Sequence, residues 1–177
     1  SKDHFSSKNN YPSNNKIWIS SGGSSGTPKS ILLSHEEVLK NCEIHGKGYV
    51  HCGIQPNDLV ATFGLPNVLT SEFTVILALL HTHAGILPIG DVSNPENVIK
   101  LLEKFKPSVL LVMPSDFLPV ANTLLLYNKR LEFVNLFIFG GEPLRNSDKE
   151  KFMQALSDQT QFRSVFQSSD CGSIGYQ

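Results

Sequence analysis

The sequence predicts an α/β fold, with a mostly parallel sheet or sheets flanked by helices. Three observations carry that expectation. Short strand-like apolar runs alternate with helical stretches from residue 59 to residue 166. Runs such as Val109-Leu110-Leu111-Val112 are apolar on both faces, the pattern of parallel strands covered by helices on each side. With 40% apolar and 18% charged residues in 177, the chain can also bury one substantial core.

Residues 1–15 are mostly Ser, Asn and Lys with only Phe5 and Tyr11 to bury, so they read as a polar lead-in to a domain over 16–177. Ile17-Trp18-Ile19 and Ile31-Leu32-Leu33 read as two short strands around the loop from Ser20 to Lys29. Ser34, with Glu37 three residues on, has the form of a capping box and predicts a helix to about Val50. Strand and helix then alternate. Strands are expected at Leu59 to Phe63, Gly85 to Ile89, Val109 to Val112, Val134 to Phe139 and Arg163 to Phe166. Helices are expected at Ser71 to His81, Pro95 to Lys104, from near Ser115, and Ser147 to Leu156. In such sheets ligands sit at the carboxyl ends of strands, which singles out the loops after Phe63, Val112, Phe139 and Phe166.

Fifteen basic against sixteen acidic side chains give a formal charge of -1, without the basic surplus that nucleic acid or an anionic membrane rewards. The longest apolar run, Phe73 to Leu80 with Thr74 inside it, is too short to span a bilayer and reads as a buried helix. Cys42, Cys52 and Cys171 form neither a close CxxC pair nor an even disulfide set, and a reducing, cytoplasmic setting fits them. Ser1 follows no signal pattern and Gln177 closes no element, so both ends read as cuts in a longer protein.

The loop Ser20-Ser21-Gly22-Gly23-Ser24-Ser25-Gly26-Thr27-Pro28-Lys29-Ser30 combines three ingredients of polyphosphate binding. Glycines permit close backbone approach, hydroxyls donate hydrogen bonds, and a lysine supplies a point charge. Such composition usually signals a flexible linker, but linkers seldom lie between two apolar strands and end in Pro-Lys. A Walker A loop is excluded because Pro28, not glycine, precedes Lys29.

Ser21 to Lys29 resembles the phosphate-binding signature of adenylate-forming enzymes, with Gly22 where that family commonly has Ser. Gly140-Gly141-Glu142-Pro143-Leu144 is similar to the family's Gly-Gly-Glu segment, whose backbone lines the adenine pocket; by itself it reads equally well as an ordinary β-to-α turn. Phe166-Gln167-Ser168-Ser169-Asp170 stands in the place of the family's Tyr-Gly-x-Thr-Glu. The resemblance covers roughly residues 16 to 177, a partial AMP-binding domain belonging to the large N-terminal domain of such an enzyme. The stretches Asn94 to Ala121 and Gly172 to Gln177 look closest to the phenylacetate:CoA ligase-like branch.

The resemblance implies ATP with Mg²⁺, a small carboxylic acid as substrate and coenzyme A as co-substrate. By it, Ser21, Gly22, Gly23, Ser24, Ser25, Gly26 and Lys29 meet the phosphates. Phe166 and Gln167 lie by the nucleotide with Phe166 on adenine, Ser169 bonds the α-phosphate, and Asp170 holds the metal although it is one methylene shorter than the usual Glu. An aromatic face, a hydroxyl and a carboxylate so spaced suit those tasks without the family; plain core is the competing role for Phe166. The family also carries a carboxy-terminal domain with a catalytic lysine and a ribose-binding aspartate, neither of which lies in these residues.

Other polar residues say less. His81 and His83 read as a solvated helix end, Cys171 as packing, and Phe63-Gly64-Leu65-Pro66-Asn67 equally as an acyl-pocket wall or a turn. A P-loop hydrolase, a degenerate non-catalytic module and an acyl-protein synthetase transferring to a protein thiol are the competing functions.

Overall fold

A computed structural model describes residues 15–20, 30–63, 71–168 and 172–177. The strands β1 (Lys16–Ser20) and β2 (Ser30–Ser34) form an antiparallel pair in which Ser20 opposes Ser30. The chain therefore leaves and re-enters at one point around residues 21–29. Helix α1 (His35–His51) starts on the expected capping box: the Glu37 amide donates to Ser34 Oγ at 3.1 Å, and the Ser34 amide donates to Glu37 Oε2 at 2.7 Å.

The rest is one six-stranded sheet in the order β4-β3-β5-β6-β7-β8. Its strands are β3 (Leu59–Phe63), β4 (Gly85–Gly90), β5 (Val109–Val112), β6 (Leu136–Phe139), β7 (Gln161–Ser168) and β8 (Gly172–Tyr176). All neighbours are parallel except β7 and β8, which form an antiparallel hairpin. The helices are α2 (Ser71–Leu79), α3 (Pro95–Phe105), α4 (Pro114–Leu126) and α5 (Asn146–Ala155). The expected mostly parallel α/β architecture is therefore present, with β8 as a strand the sequence reading did not anticipate.

Strand alternation divides the core in two. Ala61, Phe63, Leu110, Val112 and Phe137 face one side, where α3, α4 and α5 cover them with Val98, Leu102, Phe117, Leu124 and Phe152. Val60, Val109, Leu111, Leu136 and Ile138 face the other, under Val38, Cys42 and Tyr49 of α1 and Ala78 and Leu79 of α2. That is why Val109 to Val112 is apolar throughout: every residue is buried, two on each face. The helix after β3 lies on one face and the helix after β4 on the other, so the direction of winding reverses between β3 and β5. The crevice at the carboxyl ends of those strands is where such sheets take ligands.

The run Phe73 to Leu80, expected to be buried, is only half so. Ala78 and Leu79 are fully buried, while Phe73 is 44% and Leu80 60% exposed. Among the described residues helix α2 packs against α1 and the sheet on one flank, and Phe73 on its outer side stays exposed. No helix among the described residues is long and apolar enough to cross a membrane.

Helix α1 is held closely. A Cβ at Gly46 would stand 2.6 Å from the Ala78 carbonyl oxygen, and one at Gly48 would overlap the Tyr176 ring. On the same stripe His45 is 8% exposed, and neither of its ring nitrogens has a hydrogen-bond partner among the described residues. Burial holds its basicity below the ordinary imidazole value of 6.5. The folded chain keeps the ring neutral while the unfolded chain takes a proton, so stability is fully present above pH 6.5 and declines as pH falls below it. Thermal unfolding followed across pH 5 to 8, roughly the imidazole range, is expected to show that acid decline in the native sequence and not in His45→Leu. An unchanged acid slope in the variant contradicts it.

Candidate functional site

Two of the three motifs meet at the carboxyl edge of the sheet. Strand β6 ends at Phe139, whose partner on β7 is Ser164, and the turn Gly140-Gly141-Glu142-Pro143 follows directly. A Cβ on Gly140 would lie 2.7 Å from Val165 Cγ2 and 3.0 Å from the Val165 carbonyl oxygen, so only glycine lets the turn approach β7 this closely. Gly141 has φ +80°, in the left-handed region, and its missing Cβ leaves room for the Met113 side chain. The turn is thus wedged between the end of β5 and the strand carrying Phe166.

Phe166 is 65% exposed. Plain core, its competing role, does not fit a ring so open to solvent; an exposed aromatic face can stack on a planar heterocycle. Gln167 points the other way. Its Nε2 donates to Tyr49 Oη of α1 at 3.4 Å, and the register shifts between Phe166 and Gln167 where β8 pairs with them.

Ser21, Gly22, Gly23, Ser24, Ser25, Gly26, Lys29, Ser169 and Asp170 lie outside the described residues, as do Cys171 and Leu65-Pro66-Asn67. Their anchors are described: the β1–β2 pair for the first loop, with Ile17 and Leu33 packed against the sheet core, and the β7–β8 hairpin for residues 169–171. His81 and His83 are both exposed, at the end of a short 3₁₀ turn. Among the described residues no three His, Cys, Asp or Glu side chains converge.

The structure adds residues that the motifs did not reveal. Helix α4 begins after Met113, which has no side chain able to cap it, and Glu142 Oε1 accepts the hydrogen bond of the Ser115 amide instead. Beside this contact Asp116 Oδ2 is buried without a hydrogen-bond partner among the described residues. Burial, and then the Glu142 charge, push the Asp116 carboxyl above its ordinary 3.8. The signal in the sequence was the Met-Pro-Ser-Asp start itself, a helix N-terminus with no capping residue in front of it.

Comparisons with known proteins agree on this architecture. The model of the AMP-binding enzyme family matches residues 5–173. Among solved structures, the chain resembles a 2-hydroxyisobutyryl-CoA ligase in an open conformation with 2-HIB-AMP and CoA. The TM-score is 0.76 at 15% identity, over 91% of this chain and 38% of that one. It also resembles a long-chain-fatty-acid-CoA ligase from Archaeoglobus fulgidus (TM-score 0.72, 18% identity, 90% and 33%). A third likeness is to the luciferase-like enzyme of the nonluminescent mealworm Zophobas morio (TM-score 0.66, 19% identity, 90% and 36%). At such identities these likenesses speak to the fold, and the chain spans about a third of each structure's length. No curated protein matches the chain.

Proposed function

The chain belongs to the AMP-binding enzyme family, and from that premise we propose that it forms part of the nucleotide site of an enzyme that joins a carboxylic acid to AMP with release of pyrophosphate. The observation that carries this reading is the Gly140-Gly141 turn packed on Val165, the residue that precedes the exposed Phe166, at the carboxyl edge of a parallel sheet. We place the chain in the large N-terminal domain of such an enzyme, truncated at both ends, with a carboxy-terminal domain of the same protein completing the site. Coenzyme A is the proposed acceptor and the phenylacetate:CoA ligase-like branch the proposed subfamily.

In this reading the substrate carboxylate attacks the α-phosphorus of ATP in line with departing pyrophosphate. Little covalent chemistry falls to the protein; its task is to position the groups and to balance charge as it moves. The backbone of Gly140 to Pro143 and the ring of Phe166 would hold adenine from two sides. Ser21 to Gly26 would wrap the β- and γ-phosphates, Lys29 would balance their charge, and Ser169 would bond the α-phosphate. Asp170 is the residue proposed to carry Mg²⁺.

The test is carboxylate-dependent exchange of labelled pyrophosphate into ATP by the full-length protein. Exchange is expected with one or more acids and is expected to fall by about 10²–10³ in Asp170→Ala, the size of effect seen when a charge-stabilising group is lost. Exchange unchanged in that variant removes Asp170 from the site. No exchange with any acid favours a degenerate module, whereas exchange followed by transfer to a protein thiol and not to coenzyme A favours an acyl-protein synthetase.

A further inference from the structure

The Glu142 side chain has a second use. We propose that Glu142 is a positioning residue which clasps the Ser115 amide and so fixes the Gly140–Pro143 turn on the rim, and that Asp116 makes this clasp sensitive to pH. The proposal rests on the nucleotide reading only for what the turn would touch; the clasp itself is a property of the fold.

Helix α4 offers free amide donors in its first turn and has no cap of its own, since Met113 carries no acceptor. The Asp116 and Phe117 amides both fold back to the Met113 carbonyl, at 3.0 and 3.3 Å, and the Ser115 amide goes to Glu142 Oε1. A carboxylate at a helix N-terminus also meets the positive end of the helix dipole. The turn so held has no slack elsewhere, with Gly140 against the Val165 backbone and Gly141 against Met113. Its release at Glu142 would free the loop that joins β6 to α5.

Asp116 stands next to this contact, half-buried, and its buried Oδ2 has no donor among the described residues. Among the described residues Glu142 is the one charge that acts on it. Glu96 and Glu103 of α3 are engaged with Tyr127 Oη and Lys129 Nζ, beyond the far end of α4, at 2.7 and 2.6 Å. On α5, Asp148 lies in the first turn and the Lys149 ammonium sits over the Phe162 ring. Because burial raises the Asp116 carboxyl above 3.8, the fold favours its protonated form. As pH rises through this raised range, above the ordinary carboxyl value, Asp116 gains a charge beside Glu142, the two repel, and the clasp weakens.

Amide hydrogen exchange on the full-length protein tests this without requiring turnover. Protection of the Ser115 amide, corrected for intrinsic exchange, is expected to fall about tenfold or more in Glu142→Ala, the loss of one charge-assisted bond. Glu142→Gln keeps an acceptor oxygen and should retain most of it. Native protection should decline with rising pH, and Asp116→Asn should flatten that decline. Protection unchanged in Glu142→Ala overturns the clasp, and a native pH dependence persisting in Asp116→Asn overturns the role of Asp116. ATP affinity in the same proteins separates the two readings: a clasp that behaves as expected in a protein blind to ATP at every pH supports the clasp and sinks the nucleotide site.

Discussion

Phe137→Ala is expected to cost the fold about 3–5 kcal/mol, the range for truncating a fully enclosed aromatic side chain. Phe137 is wholly buried in the middle of the sheet. Its ring meets Phe117, Phe152, Phe162 and Phe139 edge-on or tilted at centroid distances of 5.2, 5.4, 5.2 and 6.4 Å, so its loss removes these ring contacts as well as buried area. Phe117, Phe152 and Phe162 belong to three elements, α4, α5 and β7, and cannot all close in on one hole. For a domain whose whole stability is of the order of 5–15 kcal/mol this is a large share. At roughly 2–4 °C per kcal/mol the melting temperature should fall by at least about 6 °C. Calorimetry or circular dichroism of the full-length variant decides it, and a shift under about 2 °C contradicts the packing described.

Gly140→Val is expected to be the most damaging change at the rim. Its Cβ would press on the Val165 side chain at 2.7 Å and on the Val165 carbonyl oxygen at 3.0 Å. That carbonyl belongs to β7, which is bonded to β6 on one side and β8 on the other, so relief requires moving the strand that carries Phe166. Overpacking of this kind costs about 1–3 kcal/mol. The nucleotide reading adds a second consequence, a loss of ATP affinity of about tenfold or more that added stabilisers do not restore, since tenfold is only about 1.4 kcal/mol. Gly175→Ala is the control. It faces Phe166 across the hairpin, and a Cβ there meets nothing within 4 Å, so both stability and affinity should hold. Equal behaviour of the two variants would mean that the turn does not touch β7 as described.

The legible parts of the fold were those written in local pattern. Ser34 and Glu37 announced their helix because a capping box is complete within four residues. Val109 to Val112 announced a central strand because both faces of it are covered. Strand β8 was not legible: Gly172-Ser173-Ile174-Gly175-Tyr176 has neither alternation nor β-branched density, and it pairs only because the hairpin brings it back onto β7. The exposure of Phe73 and Leu80 was not legible either, since an apolar run does not say how many neighbours surround its helix. At the rim the Gly140-Gly141 turn could be read because strain and close approach demand glycine. The contact from Glu142 to Ser115 could not, because it joins residues 27 apart and depends on how β5 and β6 end side by side.

The central claim is that adenine nucleotide docks at the carboxyl edge of the sheet, between the Gly140–Pro143 turn and Phe166. Photolabelling of the full-length protein with an azido-adenine analogue of ATP, followed by mapping of the modified residue, tests it most directly. ATP-protected label is expected on residues 140–143 or on Phe166. Label instead in the concavity at the opposite edge, lined by Arg130, Met153, Asp158 and Phe162, or label that ATP does not displace, would contradict it.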